Sequence, residues 1–254
     1  MNDKIIIELK DTQVGYDSRE LFRANAAIRQ GELCALVGRN GTGKSTLLRM
    51  MAGISRPTVG QIEINGVDIA NASARTLATL VAFVSTERIA ITNLRVRDVV
   101  ALGRTPYTNW FGSLTDADHQ IIDHAMERLE ITRLADKRVT TLSDGENARV
   151  MIARALAQQT PVILLDEPTA FLDIAGKYEF CEMLAELCSE GKTILFSSHD
   201  LSTVWQSGCS IALIHDGQLH HGTAQEMSKS MALARFFESS GFIMDYSTGI
   251  LRRI

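Results

Sequence analysis

The sequence carries no basic excess. Its 26 lysines and arginines stand against 30 aspartates and glutamates, for a net charge of −4. No overall positive field points to nucleic acid, and no nucleic-acid partner is expected. Any apolar run near the roughly 20 residues of a membrane-spanning helix is also missing. The opening Met1-Asn2-Asp3-Lys4 has none of the apolar stretch of a secretory leader. The chain is therefore expected not to enter a membrane by itself. Cysteine is scarce: the four, at positions 34, 181, 188 and 209, show no C-x-x-C spacing and sit mostly in apolar or helical surroundings. They read as reduced packing residues, which argues against a disulfide or metal role. Repeats and low-complexity segments are absent as well.

What is present is 254 residues with 45% hydrophobic and 22% charged content. That is enough for one sizeable core, as one large domain or one with an inserted subdomain. The most informative stretch is Gly38-Arg39-Asn40-Gly41-Thr42-Gly43-Lys44-Ser45, which matches G-x-x-x-x-G-K-[ST]. Cys34-Ala35-Leu36-Val37 before it reads as a buried strand, and Thr46 to Met51 after it continues at helical spacing until Gly53 and Pro57. Glycines at 38, 41 and 43 let consecutive N–H groups turn inward around a phosphate. The helix adds its positive N-terminal end. Lys44 is expected to reach the β- and γ-phosphates and Ser45 to complete a Mg²⁺ shell. With glycine near 7% of residues, roughly one chain of this length in a hundred would match by accident, and the strand–turn–helix context lowers that further.

Around this turn, Ile5 to Leu9 and Gln13 to Tyr16 read as strands, and Asn65-Gly66 sits between alternating residues as a hairpin signal. Val81 to Val84 is another buried-type strand. From about 94 to 158 the texture turns helical. Val96, Val99, Val100 and Leu102 share a face of a helix that Gly103 is expected to end. Thr115 to Asp118 resembles a capping box, and Ile121, Ile122, Ala125, Met126 and Leu129 form an apolar stripe. The strands Val162 to Leu165 and Thr193 to Ser197 resume the core, with a helix near 177–189 between them. Such alternation predicts parallel strands and crossover helices. Asp216-Gly217 marks a hairpin, and residues 226–254 read as a short helical tail with a last hairpin near Ser247 to Gly249. The tail would pad a dimer interface or cover the core. His220 and His221 are read as surface residues without a ligand role.

Asp166 and Glu167 follow four apolar residues. Two carboxylates ending a strand are odd unless they face a ligand, because buried unpaired carboxylates are expensive. At the carboxyl end of a parallel strand they lie where open α/β sheets bind ligands. Asp166 fits an aspartate holding Mg²⁺ through water, and Glu167 fits the base that polarises attacking water.

Leu142-Ser143-Asp144-Gly145-Glu146 precedes an amphipathic helix expected over about 147–158. With it the chain resembles the nucleotide-binding subunit of an ATP-binding cassette (ABC) transporter, whose L-S-G-G-Q/E pentad stands here as L-S-D-G-E. The parts follow in order over nearly the whole chain: phosphate loop, pentad, V-I-L-L-D-E-P, A-F-L-D (Ala170 to Asp173) and S-S-H-D (Ser197 to Asp200). The resemblance implies a RecA-like parallel-sheet core (about 1–90 and 159–225), an N-terminal antiparallel β subdomain, an inserted helical subdomain (about 91–158) and a tail (226–254). It also implies a head-to-tail homodimer sandwiching two ATP molecules. Each ATP would sit on one copy's Gly38, Arg39, Asn40, Gly41, Thr42, Gly43, Lys44, Ser45 and Thr46, with Tyr16 stacked on adenine. The other copy's Ser143, Asp144, Gly145 and Glu146 would face it. Glu167 and His199 would be catalytic, Asp173 would cross the interface, and Ser45 and Asp166 would hold Mg²⁺.

The chain departs from the family pattern at two places. Asp144 replaces a glycine, and its side chain is expected to point away from the triphosphate. Ser85-Thr86-Glu87 stands where the family has a metal-touching glutamine; Thr86 aligns best, as a candidate Mg²⁺ contact. Ala101-Leu102-Gly103-Arg104-Thr105-Pro106-Tyr107 and the following Gly112 to Asp116 resemble an importer branch for iron–siderophore, haem or cobalamin. The branch implies integral-membrane permease subunits, indirectly a substrate-binding protein, and a place on the cytoplasmic face of the bacterial inner membrane. Two rival readings are an ABC ATPase without a permease and a regulatory ATP-binding module that no longer hydrolyses.

Overall fold

The computed structural model describes residues 4–16, 19–85, 93–239, 241–246 and 248–253. Two long antiparallel strands, β1 (Ile5–Tyr16) and β2 (Arg19–Arg29), lead into β3 (Leu33–Val37) and α1 (Lys44–Met51). The hairpin β4 (Gln61–Ile64) and β5 (Val67–Asp68) turns through Asn65 and Gly66, both at positive φ. Then come α2 (Ala74–Leu80) and β6 (Val81–Val84). A helical block follows: α3 (Val96–Ala101), a 3₁₀ segment over Leu102–Tyr107, α4 (Asp116–Arg128) and α5 (Asp144–Ala157). The core resumes with β7 (Val162–Leu165), α6 (Ile174–Ser189), β8 (Thr193–Ser198), α7 (Leu201–Gln206), β9 (Ser210–His215) and β10 (Gln218–Gly222). The tail is α8 (Ala224–Ser228), α9 (Met231–Glu238), β11 (Phe242–Asp245) and β12 (Ile250–Arg253).

The main sheet runs β5-β4-β1-β2-β10-β9-β3-β8-β7-β6. Its half from β9 through β3, β8 and β7 to β6 is parallel; its other half is antiparallel apart from the β2–β10 junction. That junction is narrow, a parallel pairing of Gln218 with Arg23. Alternation along β3 explains the two-faced core. Leu33, Ala35 and Val37 pack with α3–α6, while Cys34 and Leu36 pack with α1, β1 and β4. Every residue of β3 is buried, as a strand covered on both faces requires. Among the described residues no helix is long and apolar enough to cross a membrane.

Several expectations need correction. The first two expected strands are one, β1, bent by a bulge at Asp11 (φ 43) whose N–H reaches Asn25 Oδ1 at 2.8 Å. The extra residue breaks the alternation that a period of two relies on. The helix at Val96 does not end at Gly103. It tightens into the 3₁₀ segment, so Leu102 turns outward and is exposed. Gly103 lies so close to α5 that an added Cβ would stand 2.2 Å from the Arg154 carbonyl oxygen. His220 and His221 are not surface residues: β10 lies inside the sheet, and the His221 side chain is only 13% exposed. Thr86 and Glu87 lie outside the described residues. The tail covers the core, with Met227, Leu233, Phe237 and Met244 buried in the main apolar cluster.

Candidate functional site

The phosphate turn leaves the carboxyl end of β3, which lies between β9 and β8 inside the parallel half. Gly43 (φ 104) caps α1 in a left-handed conformation, and a Cβ there would press on Leu21 and Phe22. Lys44 is buried, and its Nζ donates to the carbonyls of Gly38 (2.9 Å) and Arg39 (3.2 Å), closing the turn on itself. Burial pushes its pKa down, while Glu167 and Asp166 pull the other way. The Arg39 guanidinium points out to the tail, donating to the Ser239 carbonyl at 2.7 Å. Asn40, Gly41, Gly43, Lys44, Ser45 and Thr46 line a depression of about 430 Å³ together with Tyr16 and Glu167. A second cleft, about 630 Å³, shares Tyr16 and Thr46 and continues past Gly15, Arg19, Arg49 and Arg56. Tyr16 ends β1 half-exposed between the two, at 55%. Thr42 donates its hydroxyl to the Arg39 carbonyl within the turn (2.9 Å).

Asp166 and Glu167 leave β7 two strands away. Ser45 Oγ donates to Asp166 Oδ1 at 3.0 Å, and Ser197 Oγ at the end of β8 donates to the same oxygen at 2.7 Å. The Ser197 hydroxyl also accepts the Glu167 N–H at 2.8 Å. Glu167 has φ 47, a conformation that costs a non-glycine residue about 1–3 kcal/mol and needs surroundings to hold it. The hydroxyl of Ser197 supplies that hold. Sequence reasoning passed over Ser197 as strand; its signal was two serines at a strand end immediately before His199. Ser197→Ala is expected to cost about 1.5–3 kcal/mol of stability, the worth of a hydrogen bond to a charged group. It should lower turnover about tenfold, with Ser197→Thr close to wild type; chemical denaturation and a phosphate-release assay check both.

His199 follows Ser198, with Nδ1 3.6 Å from Glu167 Oε2 and its ring half-exposed. That distance is too long for a direct bond and short enough for one bridging water or a small closing movement. Asp200 then caps α7 and takes Lys177 Nζ at 2.8 Å, pinning the turn behind His199. Ser45 and Asp166 together offer hard oxygen donors beside the phosphate turn, a donor set that fits Mg²⁺.

The pentad opens α5. Ser143 caps α5, accepting from the Glu146 N–H (3.2 Å), while Glu146 folds back to the Ser143 N–H (3.1 Å). That reciprocal bond, with Lys137 and Arg133 nearby, holds Glu146 below the usual carboxylate range. Asp144 lines a crevice of its own chain with Ser85, Glu167 and Phe171. A Cβ added at Gly145 would meet nothing outside its own helix closer than Leu172 Cδ2 at 4.0 Å. Asp173 caps α6, accepting from the Gly176 N–H at 2.8 Å. At the far end of α5, Arg154 donates to the Phe83 carbonyl on β6 at 3.0 Å, which ties the pentad helix to the sheet.

A phosphate-cradling turn, an Asp–Glu pair at the end of a strand two places along the same sheet and a helical block between strands define a P-loop nucleotide-binding protein. Comparison with known proteins narrows this. The family described as ABC transporter matches residues 21–170. The iron(3+)-hydroxamate import ATP-binding protein FhuC of Bacillus subtilis is 37% identical over 228 residues, 89% of this chain and 85% of that protein. The cobalamin import ATP-binding protein BtuD of Halobacterium salinarum is 39% identical over 208 residues, 82% of this chain and 52% of that protein. The chain thus spans about half the length of that relative. Among solved structures, cbiO1 of Clostridium perfringens, part of the ABC transporter complex cbiONQ, superposes with a TM-score of 0.79 at 28% identity, covering 92% of this chain and 94% of that one. The chain belongs to the ABC transporter family, among its ATP-binding proteins.

Proposed function

We infer that this chain is the ATP-hydrolysing subunit of an importer for a metal chelate of the iron–siderophore, haem or cobalamin type. The observation that carries the hydrolytic part is the Ser45–Asp166–Ser197–Glu167 chain of hydrogen bonds, which fixes a carboxylate base beside the phosphate turn. The turn's N–H groups and Lys44 bind the triphosphate. Ser45 and Asp166 would hold Mg²⁺, which would supply charge neutralisation to the triphosphate. Glu167 takes the proton of the attacking water, and His199 orients that water against the γ-phosphate. Tyr16 offers adenine a π face.

Two copies arranged head to tail would each complete the other's site. Gly145 supports this reading: nothing in its own chain asks for a missing side chain there, whereas a ligand approaching the start of α5 does. Ser143 and the helix N-terminus would then face the partner's γ-phosphate, and Asp173 would cross between copies. ATP closes the pair, closure moves two permease subunits, and hydrolysis resets them. The permease would meet the helical block, where Trp110 and Phe111 stand 97% and 89% exposed in one loop. The importer class rests on relatives named for iron-hydroxamate, cobalamin and achromobactin transport. Through the permease, the chain would work at the cytoplasmic face of the membrane.

The decisive experiment is light scattering or crosslinking of the Glu167→Gln variant in saturating Mg·ATP. Dimer formation is expected, and a persistent monomer would remove the sandwich. Co-purification of a multi-spanning permease separates the importer from a permease-free ATPase. Asp144→Gly is expected to leave hydrolysis largely intact, with the Asp144 side chain turned away from the triphosphate. A large change in ATPase rate would put that carboxylate against the triphosphate after all.

A further inference from the structure

Away from the nucleotide site, three metal-ligating side chains of different chemistry converge at the opposite end of β3. They are Glu32 in the β2–β3 turn, Cys34 in β3 and His221 in β10. One carboxylate oxygen, the Cys34 Sγ and an imidazole nitrogen all lie within 4.8 Å of one another. Cys34 is fully buried, and the Glu32 and His221 side chains are only 17% and 13% exposed. We propose that Glu32, Cys34 and His221 form a binding site for a thiophilic divalent transition-metal ion, with Zn²⁺ the best match to its donors.

Register builds the site. Cys34 pairs with Ser210 on β9, and His221 pairs with Ala212 on the same strand. Ser210 and Ala212 are two apart, so all four side chains share one face. The small residues on β9 leave room for the imidazole and the thiol to meet across it. Glu32, two residues before Cys34, reaches the same face and takes His221 Nε2 at 2.9 Å.

An ion pair between Glu32 and His221 explains two of the three groups. It does not explain a thiol from a third segment aimed at the same point. Mixed sulfur, nitrogen and oxygen donors suit Zn²⁺ and its first-row neighbours, whereas Mg²⁺ prefers oxygen alone. With metal–ligand bonds of about 2.0–2.3 Å, tetrahedral donors stand about 3.5 Å apart. The present spacing needs side-chain shifts of about an ångström to reach that. The outer contacts are also in place: Glu32 Oε2 accepts the Arg29 N–H at 2.8 Å, and Ser210 Oγ donates to Oε1. Such partners orient a ligating carboxylate. Three protein ligands leave a fourth position for water. Cys34 stands four strand residues before Gly38, about 13 Å along β3, so the ion is separate from the nucleotide's Mg²⁺.

The test is titration of chelator-treated full-length protein with Co²⁺, followed by absorbance. One equivalent should give a thiolate-to-cobalt charge-transfer band that Zn²⁺ displaces and excess Mg·ATP leaves unchanged. The band should survive in Cys209→Ser and vanish in Cys34→Ser. Should Cys34→Ser fail to fold, His221→Gln serves instead, with cobalt affinity at least tenfold weaker. Absence of the band in wild-type protein overturns the proposal. So does an undiminished band in Cys34→Ser, which would put the metal on another cysteine.

Discussion

Glu167→Gln is expected to cut ATP turnover by roughly 10²–10⁴-fold, the loss typical of a general base, while nucleotide binding survives. The substitution keeps the size and the backbone of the side chain. The Glu167 N–H would still reach Ser197 Oγ, so the positive-φ turn and the position of Asp166 should persist. What disappears is the capacity to take a proton from water, together with the charge facing His199 across 3.6 Å. Single-turnover phosphate release, measured beside nucleotide binding, separates the two effects. Turnover at the wild-type rate would strip Glu167 of its role and point to His199 as the base.

Arg104→Ala is expected to destabilise the protein by about 3–5 kcal/mol, the cost of orphaning one member of a buried ion pair. Arg104 Nε meets Asp118 Oδ1 at 2.8 Å with both side chains under a tenth exposed. Its guanidinium also donates to the Ala157 carbonyl (2.8 Å) and Gln159 Oε1 (2.9 Å) and lies 4.1 Å from the centre of the Tyr107 ring. These contacts join the 3₁₀ segment, the start of α4 and the end of α5, fastening the helical block together next to β7. Urea denaturation measures the loss, and a change under about 1 kcal/mol would mean that the pair is solvated. Acid sensitivity follows with a definite sign. The Thr115 hydroxyl and N–H, then Arg104, hold Asp118 down from 3.8 to about 2. Its folded pKa is depressed, so its contribution is present above 3.8 and is lost as the pH falls towards 2. Asp118→Asn should flatten that part of the stability profile.

Much of the site was legible because its chemistry is local. The phosphate turn needs glycines at fixed offsets from a lysine and a hydroxyl, and a buried strand ending in Asp166-Glu167 has few structural excuses. Pattern was weaker where geometry depended on partners far along the chain. β1 read as two strands because the Asp11 bulge is stabilised by Asn25 on the neighbouring strand. Gly103 and Arg104 stood out as an importer-branch motif, yet only packing shows that the glycine admits the Arg154 carbonyl and the arginine finds Asp118. Ser197 read as strand: the paired serines before His199 hint at a role, but only packing shows that it bridges Asp166 and the N–H of Glu167.

The amino-acid order alone determined the phosphate-turn motif and the alternation of buried strands and helices, since both follow from spacings of a few residues. Tertiary structure decided which distant groups meet: Ser197 with Asp166, Arg104 with Asp118, and Glu32 and Cys34 with His221. The last convergence spans 189 positions in the chain. Sheet order creates it by setting β9 between β3 and β10, and no local preference encodes sheet order.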